Sequence, residues 1–103
     1  MTMKDGTLAL VGDVGGTNAR FALAAWSDGR FALAQQKSFP AETHPTFLGA
    51  VRDYLEAQAV RPDYAVLAVA GPVRNGEIDL TNSPWRVSES ELESLGLMQA
   101  RLI

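Results

Sequence analysis

The chain has 103 residues, 47% hydrophobic and 20% charged, with a formal net charge of −3, which fits one small domain with a modest core and leaves no room for a second. Its nine basic residues are scattered singly from Lys4 to Arg101, so no clustered surface for a nucleic-acid backbone is expected. With no cysteine, no apolar stretch of the ~20 residues that a membrane helix needs and no signal-peptide core after Lys4-Asp5, the expected setting is the cytoplasm, without a membrane partner.

Leu8-Ala9-Leu10-Val11 is a short apolar run entering Gly12 and reads as a buried strand. After Gly15-Gly16 the pattern resumes from Ala19 to Trp26 with both faces apolar, which predicts a strand covered on both sides. Asp28-Gly29 suits a tight hairpin turn, and Phe31 to Phe39 follows as a third strand ended by Pro40. The opening is therefore an antiparallel three-strand meander. Pro45, with Thr43 or His44 as the cap, begins a helix. In that helix Phe47, Leu48, Val51, Tyr54 and Leu55 share one side and Arg52, Asp53 and Glu56 the other, and it ends before Pro62.

Tyr64 to Ala70 is a continuous apolar strand terminated by Gly71-Pro72, and Asn75-Gly76 between Val73 and Ile78 marks a second hairpin. Ser88-Glu89-Ser90-Glu91 fits a capping box, with Gly96 as the helix stop and one more strand at the end. Glu89, Glu91 and Glu93 fall where a helix dipole favours acids. A meander followed by helix-strand-helix-strand, without repeats or linkers, is an α/β layer fold. Leu97 to Ile103 is apolar with no polar tail, from which a chain cut short within a strand is expected.

The chemistry concentrates in Gly12-Asp13-Val14-Gly15-Gly16-Thr17-Asn18-Ala19-Arg20. Gly15 and Gly16 permit backbone shapes closed to other residues and let amides approach an anion with no side chain in the way. Thr17 and Asn18 add short polar groups. Asp13 beside such a nest would repel a phosphate unless a cation sat between them, which implies Mg²⁺ held through water. The Lys-Ser/Thr of a P-loop is missing after Gly16, and neither the dinucleotide fingerprint nor the helix it requires follows. The loop is thus a strand–turn–strand phosphate hairpin. His44, the only histidine, reads as a surface or capping residue, and Trp26 and Trp85 read as packing residues. Thr81 and Asn82 either hydrogen-bond a ligand or close a turn.

The Gly12–Arg20 segment resembles the first phosphate motif of bacterial glucokinases, in the superfamily that includes hexokinase, actin and heat-shock chaperone ATPases. Ala68-Val69-Ala70-Gly71-Pro72-Val73 and Leu80-Thr81-Asn82-Ser83-Pro84-Trp85 resemble the segments flanking the sugar in that family, so the likeness runs across nearly the whole chain. The resemblance implies a ribonuclease-H-like (actin-like ATPase) lobe, residues 1–103 forming the N-terminal small lobe of an ATP-dependent kinase for glucose or a similar hexose. It places ATP phosphates on Gly12, Asp13, Val14, Gly15, Gly16, Thr17 and Asn18, Mg²⁺ on Asp13, and sugar near Pro72, Thr81 and Asn82. In the family the strand matching Arg101-Leu102-Ile103 runs into an Asn-Asp pair whose Asp is the general base, so no catalytic base is expected within this chain. A returning C-terminal helix covers the lobe in the family, and without it the chain is expected to self-associate as a homodimer or larger species. The alternative is a non-catalytic sugar-sensing or assembly module. A repressor is disfavoured, because only seven residues precede Leu8.

Overall fold

The computed structural model describes residues 3–80 and 83–103. The first apolar run forms β1 (Leu8–Val14), which passes through Gly12 instead of ending there. It turns into β2 (Asn18–Ser27) and, through Asp28 (φ 53°) and Gly29 (φ 77°), into β3 (Arg30–Pro40). Both pairings are antiparallel, so the predicted meander is present. Gly12 is confined by close approach. A Cβ at that position would stand 2.2 Å from the Arg20 carbonyl oxygen, so any side chain there forces β1 and β2 apart.

β3 carries an irregularity that hydropathy did not announce. Register shifts between Phe21 and Leu23, and Gln35 takes a left-handed backbone (φ 60°), the signature of a bulge. The carbonyl of Gln35 accepts a part-buried hydrogen bond from the Tyr54 hydroxyl at 2.6 Å. A single 3-10 turn (Ala41–Thr43) follows, then α1 (Phe47–Gln58). The cap of α1 is Thr46, whose hydroxyl accepts from the Gly49 amide at 3.0 Å, which corrects the expected cap at Thr43 or His44. Thr43 is committed to the preceding turn, where its hydroxyl donates to the Pro40 carbonyl at 2.7 Å.

β4 (Tyr64–Val69) runs parallel to β1, and β7 (Gln99–Leu102) runs parallel to β4 at the edge, giving the strand order β3-β2-β1-β4-β7. Between them the chain forms a separate antiparallel pair, β5 (Glu77–Asp79) and β6 (Arg86–Ser88), followed by α2 (Glu89–Glu93). The expected order of helix, strand, helix, strand lacked this pair. Asn75 (φ 53°) and Gly76 (φ 74°) do form the predicted turn, which closes a single Arg74–Glu77 bridge. Ser88 caps α2, accepting from the Glu91 amide, and Gly96 (φ 101°) lies beyond its end.

α1, the β5–β6 pair and α2 all join one buried cluster with the core side of the sheet. Phe21 is its hub, with ring centroids of Phe39, Phe47 and Tyr54 at 5.7, 5.8 and 5.5 Å. The other side of the sheet is uncovered among the described residues, and Phe31, Leu33 and Val66 are 46%, 60% and 38% exposed there. This corrects the expected cover on both faces of Ala19 to Trp26. Ala22 and Ala24 are buried all the same, because such short side chains are shaded by their neighbours, as Ala24 is beside Leu33 opposite it. A hollow of about 910 Å³ opens on this side, bounded by Thr7, Ala9, Tyr64 and Gln99 near the starts of the parallel strands.

Tyr54 is fully buried, and its burial holds the phenol pKa above the ordinary 10.0. The unfolded chain therefore loses this proton first as pH rises. The contribution to stability is intact below about pH 10 and falls away above it, toward the folded value. Replacing Tyr54 with Phe is expected to cost about 1 kcal/mol at neutral pH by orphaning the Gln35 carbonyl. It should also flatten the loss of stability above about pH 10. Urea titrations of both proteins at neutral and alkaline pH check this; equal slopes against pH would contradict it.

Candidate phosphate-binding site

β1 and β2 are joined by the tip Gly15-Gly16-Thr17. The Gly15 amide donates to the Asn18 carbonyl at 2.9 Å and closes the tip, while the Ala41 amide donates to the Thr17 carbonyl at 2.8 Å and ties it to the 3-10 turn. The Asn18 side-chain amide donates to the Thr17 hydroxyl at 3.2 Å. The amides of Gly16 and Thr17 have no partner among the described residues, so two adjacent N–H groups stand ready at the tip. Neither Gly15 nor Gly16 has positive φ, which corrects the expectation of a backbone shape closed to other residues. A Cβ on Gly15 would meet nothing closer than the Asn18 oxygen at 3.9 Å, so the space beside it is open.

Val14 is buried in the core and Asp13, one residue earlier, is exposed on the opposite side of the sheet. Arg20 stands directly across from Asp13 on β2, and the small Ala68 flanks it on β4. Among the described residues Arg20 and Asp13 form no close ion pair, so Arg20 balances Asp13 at longer range and leaves its carboxylate available. No group of three or more His, Cys, Asp or Glu gathers around a point among the described residues. A hard cation at Asp13 would therefore draw on one carboxylate, with water and ligand oxygens completing its shell. Mg²⁺ accepts such a donor set, since it keeps several waters and binds through one or two carboxylates plus phosphates.

Three chain segments meet this end of the sheet because β1, β4 and β7 are parallel. The Ala70 amide donates to the Val14 carbonyl at 3.0 Å, the Val69 amide to Ile103 at 2.9 Å, and the Ile103 amide to Leu67 at 2.9 Å. Ligands of open parallel sheets bind beyond such carboxyl ends. Pro72 leaves β4 here and borders a shallow hollow of about 290 Å³ with Arg74, Glu77, Asp79 and Arg86. The Glu77 carboxylate bonded to Arg86 pushes that guanidinium further up, so it stays a cation. Thr81 and Asn82, the other expected sugar contacts, lie outside the described residues. On their flanks the Leu80 amide donates to the Trp85 carbonyl, and the Trp85 amide donates to the Ser83 hydroxyl, each at 3.1 Å.

Trp85 is a packing residue, as expected, and its buried indole N–H also donates to the His44 carbonyl at 2.9 Å. His44 does not cap α1; it is the C-cap of the 3-10 turn, its amide donating to the Ala41 carbonyl at 3.4 Å. Its Nε2 lies 2.6 Å from Asp53 and its Nδ1 lies 2.9 Å from the Thr43 hydroxyl, so the ring staples the 3-10 turn to α1. Reading the acids of α2 as dipole partners missed their contacts: Glu89 and Glu93 accept backbone amides of β7. Their four-residue spacing was the available signal.

The sequence pattern of the glucokinase family matches residues 10–103. A glucokinase from Caulobacter vibrioides (strain NA1000 / CB15N) is 43% identical over 100 residues, which cover 95% of this chain and 30% of the relative. One from Tolumonas auensis is 39% identical over 95 residues, covering 91% and 29%. Among solved structures, a glucokinase from an Antarctic psychrotroph superposes with a TM-score of 0.83 at 37% identity, covering 94% of this chain and 32% of that one. A glucokinase from Balamuthia mandrillaris in complex with glucose gives 0.65 at 25% identity, covering 94% and 29%. The chain spans between 29% and 32% of the length of these relatives. With its meander, its parallel continuation and its hairpin tip matched over residues 10–103, this chain belongs to the glucokinase family.

Proposed function

We propose that this chain is the N-terminal lobe of a cytoplasmic ATP-dependent glucose kinase, in which the β1–β2 tip binds the phosphates of ATP. The observation that carries the reading is the pair of amides at Gly16 and Thr17 without a partner among the described residues, set beside the available carboxylate of Asp13 at the carboxyl end of parallel strands. The Thr17 hydroxyl and the Asn18 amide widen the donor set, and Gly12, Val14 and Gly15 give the tip its shape. Pro72, Thr81 and Asn82 belong to the sugar side of the cleft in this reading.

In the transfer a sugar hydroxyl oxygen bonds to the γ-phosphorus as the bond to the β–γ bridging oxygen breaks, and ADP leaves. The hydroxyl proton goes to a carboxylate base, which the family resemblance assigns to the residues after the strand matching Arg101–Ile103. This chain's part is positioning and charge. The tip amides offset negative charge on phosphate oxygens in a fixed geometry, where most catalysis of phosphoryl transfer originates. Asp13 fixes the cation's water shell, and bound Mg²⁺ supplies positive charge to the phosphate oxygens.

In the full-length enzyme, Asp13→Ala is expected to lower kcat at least ~10²-fold, with little change in KM for glucose. A variant with near-normal turnover at saturating ATP and Mg²⁺ would remove Asp13 from the mechanism. The 103-residue chain alone is expected to form dimers or larger species, because the Phe31, Leu33 and Val66 side of its sheet is uncovered among the described residues. Sedimentation equilibrium from low to high micromolar concentration checks this, and a folded species that stays at 11.1 kDa throughout would refute it.

A further inference from the structure

β7 is an edge strand, and alternate amides of an edge strand face away from the sheet. Ile103 shows the inward set, donating to Leu67 of β4. Ala100 and Leu102 belong to the outward set, and each meets a carboxylate. The Ala100 amide donates to Glu93 Oε2 at 3.0 Å, and the Leu102 amide donates to Glu89 Oε2 at 2.9 Å. The geometry fits because two periodicities coincide. Four residues of helix advance about 6.0 Å and return to the same face, while two residues of strand advance about 6.6 Å. A Glu pair four apart on α2 thus matches consecutive outward amides on β7, with helix and strand running in opposite senses.

The rest of the neighbourhood commits these side chains to that task. The Glu89 amide donates to the Gly76 carbonyl at 2.8 Å, and a Cβ on Gly76 would lie 2.7 Å from Glu89 Oε1, so the glycine of the hairpin turn leaves room for the carboxylate. Neither Glu89 nor Glu93 is in an ion pair among the described residues. Hydrogen bonds from amides to ionised acceptors are roughly twice as strong as neutral ones. The strand they hold is followed by Ile103, whose carbonyl bonds the Val69 amide next to Ala70, which in turn bonds Val14 at the base of the tip.

We propose that Glu89 and Glu93 are positioning residues for the phosphoryl-transfer site: by clamping the outer edge of β7 they fix its register against β4 and so hold its carboxyl end at the same end of the sheet as the β1–β2 tip. They touch no substrate. The functional half of this statement rests on the kinase reading above, and the anchoring half does not. The two are separated by measuring both amide exchange and kinetics in the full-length enzyme.

Exchange is read by NMR with ¹⁵N-alanine, ¹⁵N-leucine and ¹⁵N-isoleucine labels. Glu93→Ala is expected to speed exchange at Ala100, and Glu89→Ala at Leu102, by at least ~10-fold, with the inward Ile103 amide changed far less. In the same protein Glu89→Ala should lower kcat about 10-fold with KM for ATP within about twofold, as small misplacements of a reacting centre do. Glu89→Gln keeps an acceptor oxygen and should recover most of kcat, and Glu91→Ala, an exposed acid on the same helix, should change neither readout. Wild-type amides at Ala100 and Leu102 that exchange as fast as in the alanine variants overturn the proposal. So does an unchanged kcat in Glu89→Ala, or a folded Glu89→Gln no better than Glu89→Ala. A full-length wild type without kinase activity overturns the kinase reading and the functional half with it, while slow exchange that depends on Glu89 and Glu93 upholds the anchoring.

Discussion

The site end of the sheet depends on the parallel register of β1, β4 and β7. One backbone bond, from the Ala70 amide to the Val14 carbonyl, sets the end of β4 against the last residue before the tip. A second pair, joining Ile103 to Leu67 and Val69, sets the end of β7 against β4. Because the three strands run the same way, their carboxyl ends arrive together, and no side chain has to bridge a gap to assemble the site. The meander on the other side of β1 then turns the chain back as a hairpin whose tip shares that end. Gly12 makes the turn-back possible by letting β1 and β2 approach within a distance that excludes any Cβ.

The electrostatics follow from this placement. An anion nest next to a carboxylate is self-defeating unless a cation intervenes, and the register puts Asp13 on the same side of the sheet as Arg20 without pairing them. Asp13 keeps its capacity for a hydrated cation, and Arg20 holds the local charge near balance. α2 applies the opposite device at the far edge, where carboxylates stabilise backbone donors directly. In both places the acid is held by backbone geometry, not by a neighbouring base.

Much of this was legible in the sequence because it rests on local chemistry. Asp28-Gly29 and Asn75-Gly76 announce turns with positive φ, and both turns form. The apolar runs gave the meander and β4, and the spacing of Asp13, Gly15, Gly16, Thr17 and Asn18 located the tip. The family match covers the segment in which that resemblance was seen. What the sequence withheld was decided by tertiary closure. Thr43, His44 and Thr46 are all chemically able to sit at a helix start, and the choice of Thr46 followed from Thr43 being spent on Pro40. The bulge at Gln35 depends on Tyr54 arriving from α1. β5 and β6, three residues each, are too short to show a period. The uncovered face was misread because Ala22 and Ala24 are apolar and buried without any second layer above them.

The central claim is that the tip binds phosphate through the Gly16 and Thr17 amides, which have no partner among the described residues. The most direct measurement is a ¹H–¹⁵N titration of the full-length enzyme, labelled at glycine and threonine, with Mg²⁺-ATP. The account predicts that the Gly16 and Thr17 amides move furthest, while the Gly15 amide, already bonded to Asn18, moves less. Saturation with nucleotide that leaves Gly16 and Thr17 in place would contradict it.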